Sequence, residues 1–268
     1  MAKTQTTPKR SPRGGGLRSL SSFNPRLLDF DQNNDTSINR ESNIKISQRA
    51  ILAFTLAEVL ITLGIIGIIA SMTLPQLIKN YQKKVTAERL KSTYTIIKQA
   101  VLMSEAANGE MNSWVPISDN QADTLKKFIQ LYYEPYLKVI QQNEFSSSDT
   151  PYDYEYFTND GKLIKSAGHT KYSIALINGT YLHFNSNFNA NNNIELRIDI
   201  NGKQKPNIVG IDTFYMTVYP KVEMFNEGKN RTQLLNWCKI PGQLEKQRSC
   251  GAVILNDGWQ IKSDYPWH

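Results

Sequence analysis

The sequence predicts an α+β protein in which one long N-terminal helix, apolar in its first half and amphipathic in its second, packs on an antiparallel β-sheet head. Three observations predict this class of fold. Residues 54–75 form a nearly uninterrupted apolar run. Apolar residues then recur at spacings near three and four up to about residue 101, and beyond residue 170 strand and hairpin signals dominate.

Residues 1–53 are set apart by their charge and composition. They carry nine Lys or Arg and four Asp or Glu, so about +5 of the formal net charge of +7 belongs to them. They are rich in Ser, Asn, Arg and Gly without apolar periodicity, which is typical of disorder. The sequence therefore predicts a basic disordered leader, and the nearly neutral remainder gives little reason to expect nucleic-acid binding.

The apolar run over residues 54–75 is long enough to cross a bilayer, since its 22 residues give roughly 33 Å of helix. A secretory signal peptide is one alternative. Its apolar region would be about 7 to 15 residues long and followed by a small-x-small cleavage site, of which Ala70-Ser71-Met72 is a poor version. A buried core helix is another, but so long an apolar run would be unusual there. We therefore expect a transmembrane helix.

Glu58 is the one charged residue in this run. A carboxylate at the centre of a membrane costs about 2.5 to 3.5 kcal/mol on insertion scales, so it normally has a partner or a function. A purely structural role is the alternative, because the helix dipole favours an acid in the first turn and the side chain can reach the interface.

The string AFTLAEVL, from Ala53 to Leu60, begins a long apolar helix with Pro75 at its far end. It resembles the N-terminus of type IV pilins and type II secretion pseudopilins. The match combines a small residue, Phe54 as the next residue, Glu four places after Phe54 and Pro twenty-one places after it. The family usually has Gly at the position of Ala53.

In that family a membrane aspartyl peptidase cuts after the small residue and methylates the new amino group. The resemblance therefore implies cleavage by prepilin peptidase between Ala53 and Phe54, and N-methylation of Phe54. It implies that Glu58 neutralises the charged amine of Phe54 on a neighbouring subunit during filament assembly. It also implies a pilin-like fold, contact with membrane lipid and other pilin-like subunits as partners.

Residues 76–107 are predicted to continue the helix, because their apolar residues follow a helical period. Asn108-Gly109 supplies a stop signal, after which residues 108–268 are predicted to form a globular head. The apolar residues that carry the period are Ile78, Tyr81, Val85, Leu90, Tyr94, Ile97 and Val101.

Within the head, residues 124–140 are predicted to form a helix interrupted by Pro135. Residues 172–177 and 180–184 flank Asn178-Gly179 and predict a hairpin. Residues 194–200 and 213–219 are two further candidate strands. A second hairpin is predicted from residues 252–255 and 259–262 around Asn256-Asp257-Gly258.

The loop over residues 199–212 contains the one ligand-like cluster of the sequence. Asp199, Asn201 and Asp212 could offer the hard oxygen ligands that calcium requires, and similar loops occur in pilin-like heads. The loop lacks the acidic twelfth position of an EF-hand. The alternative, which we favour, is a turn at Asn201-Gly202 with capping aspartates.

Cys238 and Cys250 are the two cysteines of the chain. Without nearby His they cannot complete a tetrahedral zinc site, whereas a disulfide closing a short loop contributes about 2 to 4 kcal/mol in an oxidising compartment. We expect the disulfide rather than two free thiols. It resembles the C-terminal disulfide loop of many pilins and would place the head outside the cytoplasm.

The orientation of the helix follows from the resemblance and the cysteines rather than from charge. More basic residues follow Pro75 than precede Phe54 within about 20 residues, which by the positive-inside rule alone would place the N-terminus outside. We nevertheless expect a single-pass inner-membrane protein with its head in the periplasm or outside. The basic residues counted are Arg40, Lys45 and Arg49 before the run and Lys79, Lys83, Lys84, Arg89 and Lys91 after it.

Catalysis has little support in the sequence. The three histidines, His169, His183 and His268, are scattered, and no G-x-S-x-G, H-E-x-x-H or phosphate-binding loop occurs. We therefore expect no enzyme. Two functions are left: a structural subunit of a type IV pilus, secretion pseudopilus or DNA-uptake filament, and a membrane-anchored ligand-binding module that does not assemble.

Overall fold

A computed structural model describes the chain from Phe54 almost to its C-terminal residue. The predicted leader, residues 1–53, which includes Ala53, lies outside the described residues, as do His169 and His268. The described ranges are 54–115, 122–144, 155–164, 172–187, 193–202 and 204–267.

The first described element is a helix of 53 residues, α1 (Leu56–Asn108). Thr55 caps its N-terminus, and Gly109 follows its last residue with φ +83°, a conformation that glycine adopts without strain. The helix continues through Pro75. The predicted long helix with its stop at Asn108-Gly109 is confirmed.

The two halves of α1 have different surroundings. Up to Gln82 its side chains are exposed, with Ala70 partly covered, whereas the second half has a buried face. Hydroxyl groups of the first half donate to carbonyl oxygens of the same helix, as Ser71 does to Ile68 at 2.7 Å. This satisfies them without water. The buried residues of the second half are Thr86, Ala87, Leu90, Thr93, Tyr94, Ile97, Ala100, Val101 and Ser104.

The head contains a six-stranded sheet whose strands pair with their neighbours along the chain, all antiparallel. The strands are β1 (Val139–Glu144), β2 (Tyr172–Leu176), β3 (Tyr181–Asn187), β4 (Asn193–Asp199), β5 (Thr213–Tyr219) and β6 (Glu223–Met224). The predicted hairpin around Asn178-Gly179 and the two further strands are confirmed. Alternate residues of β2 to β5 share one hydrophobic core with the buried face of α1.

The helix predicted over residues 124–140 is shorter than expected. It is α2 (Ala122–Tyr132), followed by a single 3₁₀ turn, Glu134–Tyr136, and then by β1. Pro135 has no N–H to donate and disfavours helical backbone at the residue before it, which favours the end of the helix before this point. Tyr132 and Tyr133 beside it are buried in the core.

The prediction of a hairpin over residues 252–262 is wrong. This region forms α5 (Cys250–Asn256), preceded by α3 (Arg231–Cys238) and α4 (Leu244–Gln247). Gly258, with φ +69°, ends the helix, and the N–H of Trp259 donates to the carbonyl of Ile254 at 2.8 Å. The Asn-Asp-Gly sequence is thus a helix stop rather than a hairpin turn. A short buried apolar run does not distinguish these structures.

Candidate functional site

The start of α1 brings Thr55 and Glu58 together in a capping box. The Glu58 carboxylate accepts from the backbone N–H of Thr55 at 2.8 Å and from its hydroxyl at 2.9 Å. The Thr55 hydroxyl oxygen in turn accepts from the backbone N–H of Glu58 at 3.2 Å. Both residues therefore satisfy donors that the first turn of a helix leaves without partners. The capping role of Thr55 was not predicted from the sequence, although the T-x-x-E spacing is itself a capping-box signal.

Phe54 lies directly before this capping box, and its side chain is 85% exposed. Glu58 is exposed as well, four residues later on the first turn. Both hydrogen bonds from Thr55 go to Oε2 of Glu58. Within the described part of the chain, Oε1 has no hydrogen-bond partner and stays open to a donor from outside. The structure thus places the two residues at one exposed helix end, while Ala53 lies outside the described residues.

The first half of α1 is long and apolar enough to cross a membrane, and no residue of its apolar window is buried. A core helix differs from this one, because its apolar side chains are covered by the rest of the fold. The exposed side chains include Leu60, Ile65, Ile69 and Leu77. This half of the helix needs an apolar surrounding that the described head does not supply.

The loop from Asp199 to Asp212 joins β4 to β5 and brings the three predicted ligand residues together. Asp212 accepts from the backbone N–H groups of Asn207 at 2.8 Å and Ile208 at 2.6 Å. It also accepts from the side-chain amide of Asn201 at 3.3 Å. Asp199 accepts from the backbone N–H of Asn201 at 3.3 Å. Both aspartates hold the loop by accepting N–H groups, as the turn interpretation predicts.

The same loop contains two amide oxygens of interest for calcium. The Oδ1 atoms of Asn201 and Asn207 are buried without a hydrogen-bond partner, and buried oxygens of this kind can mark an ion or a water. Among the described residues, however, no three His, Cys, Asp or Glu side chains are grouped to hold a metal. Burial raises the pKa of the Asp212 carboxyl, against the lowering effect of its N–H bonds. Calcium at Asp199, Asn201 and Asp212 stays a prediction.

Cys238 and Cys250 form a disulfide, as predicted, that joins the end of α3 to the start of α5. The loop between them docks on the segment 155–164. The backbone N–H of Asn159 donates to Gln247 at 2.9 Å, and Asp160 accepts from the backbone N–H of Gly242 at 2.9 Å and from Gln247 at 3.1 Å. Desolvation raises the pKa of Asp160, but these bonds outweigh it and lower the pKa to about 2.

His183 is the one described histidine, and it is buried between two hydroxyl groups. Its Nδ1 lies 2.8 Å from Oγ of Ser173, its cross-strand neighbour, and its Nε2 lies 3.3 Å from the hydroxyl of Tyr156. Burial, aided by the positive charge of Arg197, lowers its pKa well below the usual range. Ser173 and His183 are each about 1% exposed, so the pair lies inside the head rather than in a cleft.

An open groove of about 390 Å³ lies beside the last turns of α1. Val101, Leu102 and Met111 contribute apolar lining, and Pro220 and Val222 come from the segment between β5 and β6. Lys98, Glu105, Glu110 and Lys221 supply charges of both signs around it. The groove was not predicted, because it joins segments more than a hundred residues apart.

Comparison with known protein families gives a match over most of the chain. Residues 76–268 match a family of unknown function (DUF6613). No curated protein and no solved structure matches significantly. The match begins at the residue after Pro75 and covers the packed half of α1 and the whole head, so the Phe54–Glu58 motif lies outside it. Because the match extends over more than half of its length, the chain belongs to the DUF6613 family.

Proposed function

We propose that this protein is a structural subunit, major or minor, of a type IV pilus, a type II secretion pseudopilus or a DNA-uptake filament. One observation carries the proposal: Glu58 lies on the first turn of an exposed apolar helix, four residues after Phe54, with one carboxylate oxygen open. In this proposal prepilin peptidase removes residues 1–53, and the new amino group of Phe54 is methylated.

The proposed role of Glu58 follows from the energetics of charge in an apolar medium. The free amine of Phe54 and the carboxylate of Glu58 are each unfavourable in hydrocarbon unless they are paired. In the capping box Oε2 is occupied by Thr55, so Oε1 is the atom that would accept from the amine of a neighbouring subunit. Assembly would then be favoured because it neutralises both charges.

The exposed half of α1 supports the same proposal. From Leu56 to Gln82 it is about 40 Å long at 1.5 Å per residue. Before assembly, lipid would cover this surface in the inner membrane, with the head in the periplasm or outside. In a filament the equivalent helices of other subunits would cover it. The disulfide supports a head outside the cytoplasm, because such bonds persist in oxidising compartments.

The test separates the two roles of Glu58. Glu58→Ala and Glu58→Gln both remove the charge, whereas Thr55→Ala weakens the cap and keeps the carboxylate. The readout is covalent crosslinking of the full chain into ladders of subunits in membranes of its host, alongside its amount in the membrane fraction. We expect both Glu58 variants to insert normally and give no ladder, and Thr55→Ala to give ladders. Ladders from Glu58→Ala would refute the filament mechanism.

A second candidate function is a membrane-anchored extracytoplasmic module that binds a ligand without assembling. The open groove between α1 and the segment after β5 favours it, because concave sites lined by apolar side chains together with a few polar groups are typical binding sites. This function makes Glu58 irrelevant beyond its cap. Normal membrane insertion of the wild type without any ladder in the crosslinking experiment would therefore favour it.

A further inference from the structure

Three lysines lie on α1 shortly after the apolar run of residues 54–75. Lys79 follows Ile78 directly, and Lys83 and Lys84 lie about one turn further along the helix. No acidic residue lies between Glu58 and Glu88. At about 1.5 Å per residue the three lysines lie within about 9 Å of Ile78 along the helix axis, and their positions span about 140° of its circumference. We call these three residues the lysine collar.

The described head leaves the lysine collar uncovered. Thr86 is the first buried residue of α1, and its hydroxyl donates to the carbonyl of Ile211 at 3.3 Å. Lys79 and Lys84, which precede this contact, are exposed, and Lys83 is partly exposed. Within the described ranges, no carboxylate lies at ion-pair distance from any of the three. Their charges are therefore available to a partner outside the head.

We propose that the lysine collar binds the phosphate groups of anionic phospholipids in the leaflet where α1 leaves the bilayer. The proposal rests on the transmembrane part of the proposed function and is independent of filament assembly. The headgroup layer beyond the hydrocarbon is about 5 to 7 Å thick, and lysine stems are long enough to reach it from the collar. Tyr81, 68% exposed at the same level, belongs to the residue types enriched at that interface.

The collar also gives a physical reason for the charge distribution around the helix. The excess of basic residues after Pro75 opposes the proposed orientation under the positive-inside rule. Lysines held by phosphate groups on the far leaflet would instead fix the depth of the helix once it has crossed. Each lysine near an anionic surface strengthens binding by about fivefold, and salt weakens the effect.

The experiment uses the full chain in nanodiscs of equimolar phosphatidylcholine and phosphatidylglycerol. After mild extraction, native mass spectrometry gives the ratio of the two lipids retained by the protein. The collar variant is Lys79→Gln, Lys83→Gln and Lys84→Gln together. The matched control removes three exposed charges of the head, Lys127→Gln, Lys138→Gln and Lys229→Gln.

We expect the wild type and the control to retain phosphatidylglycerol in preference to phosphatidylcholine. The collar variant should lose at least about fivefold of that preference, and high salt should have the same effect on the wild type. An unchanged preference in the collar variant, or an equal loss in the control, would overturn the proposal. Loss of self-association by the collar variant, with its lipid preference unchanged, would also overturn the proposal. The collar would then contact a second copy of the chain rather than lipid.

This readout separates the collar from the filament proposal. Glu58→Ala should keep the lipid preference whether or not subunits assemble. A chain that fails to enter nanodiscs would overturn both the anchor and the collar. A chain that inserts and shows no preference would overturn the collar alone.

Discussion

The carboxylate of Glu58 accepts both the backbone N–H and the hydroxyl of Thr55 through the same oxygen, at 2.8 and 2.9 Å. The structural and the functional interpretations of Glu58 are therefore compatible. The cap holds the carboxylate at the helix end in a fixed direction, and an ordered carboxylate loses less side-chain entropy when it binds an amine. In this arrangement Thr55 positions the group that we propose to act in assembly.

Processing at Ala53 can be tested directly. Prepilin peptidase is proposed to require a small residue before the cut, so Ala53→Leu should leave the chain uncut and Ala53→Gly should be processed like the wild type. Intact mass and N-terminal sequencing of protein from host membranes measure the result. We expect methylated Phe54 as the first residue of the wild type and Ala53→Gly proteins. Cleavage of Ala53→Leu at the same bond would contradict a peptidase of this specificity.

Arg231 should be important for the stability of the C-terminal part of the head. It binds Asp257 and Asp264 through paired hydrogen bonds of 2.5 to 2.9 Å, and the Asp257 side chain is 1% exposed. Arg231→Gln leaves Asp257 with Lys262 alone, so we expect a loss of about 2 to 3 kcal/mol of unfolding free energy. Chemical denaturation of the full chain in detergent measures it.

An exposed ion pair supplies the control for Arg231. Lys221 lies 2.7 Å from Glu223, with its side chain 75% exposed. Lys221→Gln should therefore change the unfolding free energy far less than Arg231→Gln does. Equal losses in the two variants would mean that the buried carboxylate is not the source of the effect.

Much of the fold follows from local sequence patterns. The apolar run, the helical period after it and Asn108-Gly109 define α1, and Asn178-Gly179 defines the β2–β3 hairpin. The secondary-structure prediction for residues 252–262 was wrong because a four-residue apolar run before Asn-Asp-Gly fits a hairpin and a helix end equally well. Burial of Ala252, Val253 and Ile254 in the core decides for the helix, and burial depends on distant residues.

The candidate site likewise has features that local sequence predicts and features that depend on the tertiary structure. Local sequence is enough to identify Phe54, Glu58 and the T-x-x-E spacing of the capping box. The contacts of His183 depend on the register of β2 with β3, which pairs it with Ser173. The groove beside Val101 and Pro220 depends on where α1 passes the sheet. Sequence patterns alone do not determine either arrangement.

Asp160 should make the head sensitive to acid. Its folded pKa of about 2 lies below its ordinary value of 3.8, so its stabilising effect is present above about pH 4 and is lost as pH falls towards 2. Asp160→Asn should lower the unfolding temperature at neutral pH. The difference in unfolding temperature between this variant and the wild type should become smaller as the pH falls from about 4 to 2. Thermal unfolding from pH 7 to 2 measures this. A constant difference at all pH values would show that ionisation of Asp160 is not responsible.

Asp212 distinguishes a hydrogen-bonded turn from a calcium loop. Its carboxylate accepts three N–H groups, from Asn201, Asn207 and Ile208. Asp212→Asn replaces one acceptor oxygen with a donor that would face an N–H group, so we expect a loss of about 2 to 3 kcal/mol. Chemical denaturation is measured in millimolar calcium and again in chelator. The turn interpretation requires the same loss in both, whereas a loss confined to calcium would assign the buried oxygens of Asn201 and Asn207 to a bound cation.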